Sequence, residues 1–171
     1  MSTKPLRTSV GLALFMLAAA ASAVSSGTVS VRYDRPETFT ETRELRAFAP
    51  SEVNSGYLDT LKSYIQARAA KVLQPAQTLD IVITDIDRAG SYLPSIGAVQ
   101  PVRVVKDVYP PRISLHFRLL DGQGHVLREG ERKLTNLGFM QSTAGGVASS
   151  DPLRYEKALI NRWLAKGSSA L

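Results

Sequence analysis

Apolar and polar residues alternate along the chain with two different periods, and the switches between them divide it into elements. Val29, Val31 and Tyr33 alternate with Ser30 and Arg32, the two-residue period of a half-buried strand, and Pro36 stops the run. Glu37 to Asn54 is rich in Thr, Glu and Arg and holds neither period, so it is expected as a loop. Leu58, Leu61, Ile65, Ala69 and Val72 then recur at helical spacing, with Asn54 or Ser55 as the cap and Pro75 closing the helix. Thr78 to Asp87 reads as a central strand. Leu79, Ile81 and Ile83 line one of its faces, while Val82 and Ile86 make the other partly apolar, which predicts burial on both sides. A strand, a helix and a second strand form a right-handed crossover, which pairs the two strands in parallel.

Residues 88–111 contain Gly90, Pro94, Gly97, Pro101, Pro110 and Pro111, a long irregular stretch with one short strand at Val102 to Val105. Strict alternation returns in Ile113, Leu115, Phe117 and Leu119 against Ser114, His116 and Arg118. Asp121-Gly122-Gln123-Gly124 makes a turn, and Val126 to Thr135 comes back as the hairpin partner. Asn136 to Ser150 is a glycine-containing connection. Asp151 as cap and Pro152 at the first helical position open a last helix, with Leu153, Tyr155, Leu159, Ile160 and Trp163 as its buried stripe and Gly167 at its end. The order predicts an α+β fold: a two-layer sandwich whose mixed, mostly antiparallel sheet of four or five strands carries two amphipathic helices on one face.

Composition narrows what this fold can do. The 171 residues are 44% hydrophobic and 21% charged, which suits one globular domain. Lys4 and Arg7, the apolar run from Val10 to Ala21 and the small residues Ala21-Ser22-Ala23 form the three parts of a secretory signal peptide, cleaved after Ala23. The apolar run is about a dozen residues, short of the roughly 20 that span a membrane. The expected product is a single domain over residues 24–171, periplasmic or secreted, with no transmembrane span. Two units of the formal charge of +6 belong to Lys4 and Arg7, and the remaining charges are interspersed without a basic stripe. Nucleic acid is therefore not an expected partner. The chain has no cysteine, which excludes thiolate metal sites, cysteine nucleophiles, disulfides and cysteine lipid anchors. Residues 24–171 contain no G-x-S-x-G, G-x-x-x-x-G-K, H-E-x-x-H or S-x-x-K pattern.

Two segments carry candidate chemistry. Asp85-x-Asp87 at the end of the central strand sets two carboxylates on one side, where they can share a divalent cation. As a calcium loop the segment fails, with Ala89 at the fifth position and Ile96 at the twelfth. The plainer reading is that both carboxylates cap backbone amides at the turn or pair with nearby arginines. Tyr109-Pro110-Pro111-Arg112 holds an extended conformation that can present Tyr109 and Arg112 to a partner, or simply fix the start of the next strand. Arg103, Lys106 and Arg112 can form an anion-binding patch beside it. Long irregular loops in compact domains are usually functional or disordered.

The leading expectation is thus a non-catalytic binding or accessory module that uses the 88–111 loop and needs no cofactor. Its partner would be an envelope protein or another cell-envelope component. Tyr92, Leu93, Ile96 and Tyr109 would supply apolar contact, and Arg103, Asp107 and Arg112 orientation, with Asp85 and Asp87 at the loop's base. The alternative is a metal-binding protein or metal-dependent hydrolase centred on Asp85 and Asp87 with His116.

Three stretches occur together: Asp85-Ile86-Asp87-Arg88-Ala89-Gly90, the run from Val102 to Ile113 that includes Tyr109-Pro110-Pro111-Arg112, and Ser150-Asp151-Pro152-Leu153-Arg154-Tyr155-Glu156-Lys157. In this combination the chain, from about Val29 to Trp163, resembles the bacterial exported family catalogued as domain of unknown function 3016. The resemblance implies an envelope location and a single domain, and it brings no reaction, ligand or catalytic residue with it.

Overall fold

The structure, a computed structural model, describes residues 27–48, 56–93, 102–142, 147–168 and 171. In chain order these form β1 (Thr28–Tyr33), a 3-10 turn (Pro36–Thr38), α1 (Thr40–Phe48), α2 (Gly56–Ala70), β2 (Thr78–Asp87), β3 (Ser91–Leu93), β4 (Val102–Val104), β5 (Arg112–Leu120), β6 (Val126–Thr135) and α3 (Arg154–Leu164). The main sheet has the order β1-β2-β5-β6, and β3 and β4 form a separate two-stranded sheet. β1 and β2 are parallel, joined through α2, while β2-β5 and β5-β6 are antiparallel. This is the expected α+β sandwich with a mixed sheet.

Leu58, Leu61, Ile65 and Ala69 of α2 pack with Leu159, Ile160, Trp163 and Leu164 of α3 over Val31, Ile81, Ile83, Leu115 and Phe117 of the sheet. Phe117 meets Trp163 edge to face at 6.2 Å. The two helices are joined by Asn161 Oδ1, which accepts from Tyr64 Oη at 2.8 Å and Arg68 Nε at 2.9 Å. Among the described residues no helix is long and apolar enough to cross a membrane.

The central strand departs from its expected two-sided burial. The β2-β5 register runs Ile83↔Leu115 and then Asp85↔Ser114, so β2 carries one extra residue. This bulge brings Ile86 round to the same buried face as Leu79, Ile81 and Ile83, and leaves Val82 half-buried on the other. That second face stays open. Its charges are matched across strands, with Arg118 Nε 3.5 Å from Glu129 and His116 Nδ1 3.6 Å from Glu131.

Three further expectations change. The stretch expected as a loop after Pro36 contains α1, whose buried residues are Glu41 and Thr42 rather than apolar ones. The last helix begins at Arg154, after a turn in which Asp151 Oδ1 accepts the Leu153 amide at 2.8 Å and its Oδ2 pairs with Lys157 Nζ at 2.5 Å. The 88–111 segment holds two short strands rather than one. The expected caps Asn54 and Ser55 lie outside the described residues.

Candidate functional site

Polar groups gather at the carboxyl end of β2, where α1, the β3-β4 hairpin and the start of α3 converge on residues 85–92. Asp85 caps α1 from across the chain: the Thr40 amide donates to Oδ1 at 2.7 Å and the Thr40 hydroxyl to Oδ2 at 2.9 Å. A carboxylate in that position answers the unpaired amides and the positive end of the helix dipole. Asp87 lies opposite Arg112 in the β2-β5 ladder, with Arg112 Nη1 3.1 Å from its Oδ2. Burial raises the Asp87 pKa above the ordinary carboxylate value despite Arg112, and the charges of Glu41 and Asp85 add to the rise.

Arg103 is the hub. It sits in β4 opposite Tyr92 of β3, with its guanidinium 4.3 Å from the Tyr92 ring centroid. One arm of the fork, Nη2, pairs with Glu41 of α1. The other, Nη1, donates to the carbonyls of Arg88, Ala89 and Gly90 at 3.4, 3.1 and 3.2 Å. The planar fork sets its two terminal nitrogens on Glu41 and on these carbonyls at once, a span that a single ammonium does not cover. Burial works against its charge, but Glu41 and Tyr92 outweigh that and raise its pKa further.

Glu41, only 1% exposed, also receives the Arg88 amide and the Tyr92 hydroxyl, each at 3.4 Å. From the opposite side α3 contributes Glu156, equally buried, whose Oε1 accepts the Ala89 amide at 2.8 Å. Its Oε2 has no hydrogen-bond partner among the described residues. Burial pushes the Glu156 pKa up against the pull of the Ala89 amide and of Arg88 and Arg103. Arg88 reaches over the Tyr57 ring at 5.2 Å and donates to the Pro152 carbonyl at 2.9 Å. Tyr57 in turn is pushed up to about 12, chiefly by burial. Gly90 completes the arrangement at φ +87°; a Cβ there would stand 2.6 Å from the Val104 carbonyl oxygen, so the strand can pass this closely only at a glycine.

Several apolar side chains are exposed around this polar pivot. Phe48, at the end of α1, faces the Tyr92 ring at 6.4 Å. Val102, Val108 and Tyr109 are 53%, 67% and 39% exposed. The Tyr109 carbonyl receives the Gly90 amide at 3.0 Å, which ties the turn before β5 to the pivot, and Pro110 and Pro111 are buried beneath it.

Of the residues singled out from sequence, the structure brings Asp85, Asp87, Tyr92, Arg103 and Arg112 to this one end of the sheet. Asp107 and Tyr109 are exposed in the turn between β4 and β5. The Leu93 side chain and Ile96 lie outside the described residues. The anion patch of Arg103, Lys106 and Arg112 does not form, because Arg103 is turned inward to Glu41 and Arg112 is paired with Asp87. His116 stands on the open sheet face beside Glu131, and does not join Asp85 and Asp87. Among the described residues no three His, Asp or Glu side chains form a group that could hold a metal ion. Sequence reasoning missed Glu41, Arg88 and Glu156. Glu156 had a signal: it falls on the apolar stripe between Leu153 and Ile160, where a carboxylate must find partners.

The chain matches the family described as "Protein of unknown function (DUF3016)" over residues 27–166, and it belongs to that family. No curated protein matches it. Among solved structures it is similar to a PelC dodecamer from Paraburkholderia phytofirmans, a methionine-for-leucine variant, at 12% identity over 83% of this chain and 84% of that one, with a TM-score of 0.38. A second PelC dodecamer structure from the same organism matches at 12% identity over 84% of this chain and 89% of that one, with a TM-score of 0.32. At that level the likeness carries no functional inference.

Proposed function

We propose that this member of the family of unknown function is an exported protein that acts as a non-catalytic binding or accessory module, recognising an envelope partner through the 88–111 region. On this reading residues 1–23 are a secretory signal removed near Ala23, and residues 24–171 work as one domain in the periplasm or outside the cell. The signal pattern of Lys4, Arg7, the Val10 to Ala21 run and Ala21-Ser22-Ala23 supports export.

The observation that carries the binding role is the pairing of an exposed apolar rim with a fixed base. Phe48, Val102, Val108 and Tyr109 are exposed around a hairpin whose root is held by the Glu41-Arg103-Glu156 network. Apolar groups displayed on a pre-ordered support bind at a lower entropic cost than the same groups on a free loop. Arg112 and Asp107 at the rim give a partner polar groups against which to orient.

The test is cross-linking of the tagged protein in intact cells, followed by mass spectrometry of what is captured and of the protein's own N-terminus. The expected result is a reproducible envelope partner, lost when Tyr109 and Arg112 are replaced by Ala, and a mature chain beginning at Val24. A chain recovered alone under efficient cross-linking would overturn the binding role, and an intact Met1 would overturn export.

A further inference from the structure

The β3-β4 hairpin is built differently from the rest of the molecule. Among the described residues its two strands pair with each other alone, separate from the four-stranded sheet. Two strands of three residues each cannot stand alone in water. Its described apolar side chains lie outside the core: Val102 is exposed, and Tyr92 and Val104 are half-buried, with Tyr92 facing the Phe48 ring. Its attachment is polar, through Arg103 to Glu41 and to the carbonyls of residues 88–90, and through the Tyr92 hydroxyl to Glu41. Glu41 is itself fixed by α1, which Asp85 caps from β2. Residues 88–90, the link between β2 and β3, are held from the far side by Glu156 at the Ala89 amide.

We infer that Glu41 and Arg103 form a latch that docks the β3-β4 hairpin as a unit of local stability, able to open while the main sheet stays folded. The two residues are positioning residues: they set where the hairpin lies without presenting themselves on its outer surface, since the Glu41 and Arg103 side chains are only 2% and 15% exposed. Regions with few buried apolar contacts open below the global unfolding free energy as cooperative units. Here the buried Glu41-Arg103 pair is the only ion pair among these attachments, so removing either partner leaves the other charge without its counter-charge and weakens the docking of the hairpin. The inference concerns the hairpin's attachment and stands whether or not the rim recognises a partner.

Amide hydrogen exchange of the whole protein tests it. In the unaltered protein, a series at low denaturant should show Ser91–Leu93 and Val102–Val104 exchanging through an opening distinct from that of β2 and β5. Glu41→Gln and Arg103→Gln should each speed exchange at the hairpin by at least about tenfold while leaving β2 and β5 unchanged, as expected for a local opening. Arg103→Lys, which keeps the charge and loses the fork, should fall between Arg103→Gln and the unaltered protein. The inference is overturned if hairpin and sheet exchange together in the unaltered protein, which needs no variant to fold. It is overturned equally if the variants leave hairpin exchange unchanged or speed all amides alike.

Discussion

Replacing Asp85 by Ala removes the acceptor of both the amide and the hydroxyl of Thr40, at the first turn of α1. Loss of a helix cap costs about 1 kcal/mol. The carboxylate also faces the positive end of the helix dipole, which adds about 0.3–1 kcal/mol. Thr40 is half-buried, so water recovers part of the lost bonding, and the expected total is about 1.5 kcal/mol. For a domain of this size that lowers Tm by about 3–6 °C. Asp85→Asn keeps one acceptor oxygen and should lose about half as much. Thermal and urea unfolding are readily followed by the single tryptophan, Trp163, which is 8% exposed against Phe117. An Asp85→Ala protein within about 0.5 kcal/mol of the unaltered one would refute the capping argument, since that is the range of an uninvolved surface change. The same assay separates capping from metal binding. A Tm that rises with added divalent cation, and no longer does so in Asp85→Asn, would give Asp85 to a metal instead.

Three other outcomes are expected. Phe117→Ala empties the space between the sheet and Trp163 and should cost about 3–5 kcal/mol by urea unfolding; a loss below 1 kcal/mol would mean the core closes over the gap. Gly90→Ala puts a Cβ against the Val104 carbonyl at positive φ, and the strain should cost about 2 kcal/mol, whereas Gly124→Ala, with open space around it, should cost less. The raised pKa of Glu156 means that its carboxyl holds a proton more tightly folded than unfolded, so its contribution to stability is complete below the ordinary value of 4.5 and lost as pH rises through the folded value. Glu156→Gln, which keeps an oxygen for the Ala89 amide, should therefore gain on the unaltered protein between pH 4 and pH 7 in urea unfolding; a constant difference across that range would contradict this.

How much was readable in the sequence depended on whether a residue's role is set by its neighbours or by distant groups. β5 and β6 were legible to the residue or nearly so, because strict alternation from Ile113 to Leu119 and the double-glycine turn are local signals. β2 was legible as a strand but not in its faces: a bulge at Thr84 and Asp85 moves Ile86 to the core side, and nothing in an alternating pattern marks where an extra residue will be taken up. α1 was hidden because its helix is specified by Asp85, far along the chain, and by buried Glu41 and Thr42, which look like solvent-facing residues in a sequence. The candidate site followed the same rule. Asp85, Asp87, Tyr92, Arg103 and Arg112 are all legible as candidates, and Asp87 does pair with an arginine, Arg112, but Glu41 is not, since a buried ion pair such as Glu41 with Arg103 leaves no periodic trace. For the same reason Arg103 was expected to face a ligand and instead faces inward.

The claim that the hairpin rim is the recognition surface is tested most directly by placing a photo-activatable cross-linker at Val108, 67% exposed on the rim, and separately at Glu129 on the open sheet face, in cells that make the protein. A discrete adduct is expected from position 108, lost when Tyr109 is replaced by Ala, and none from position 129. Adducts from 129 alone would place recognition on the open sheet face and rule out the hairpin rim.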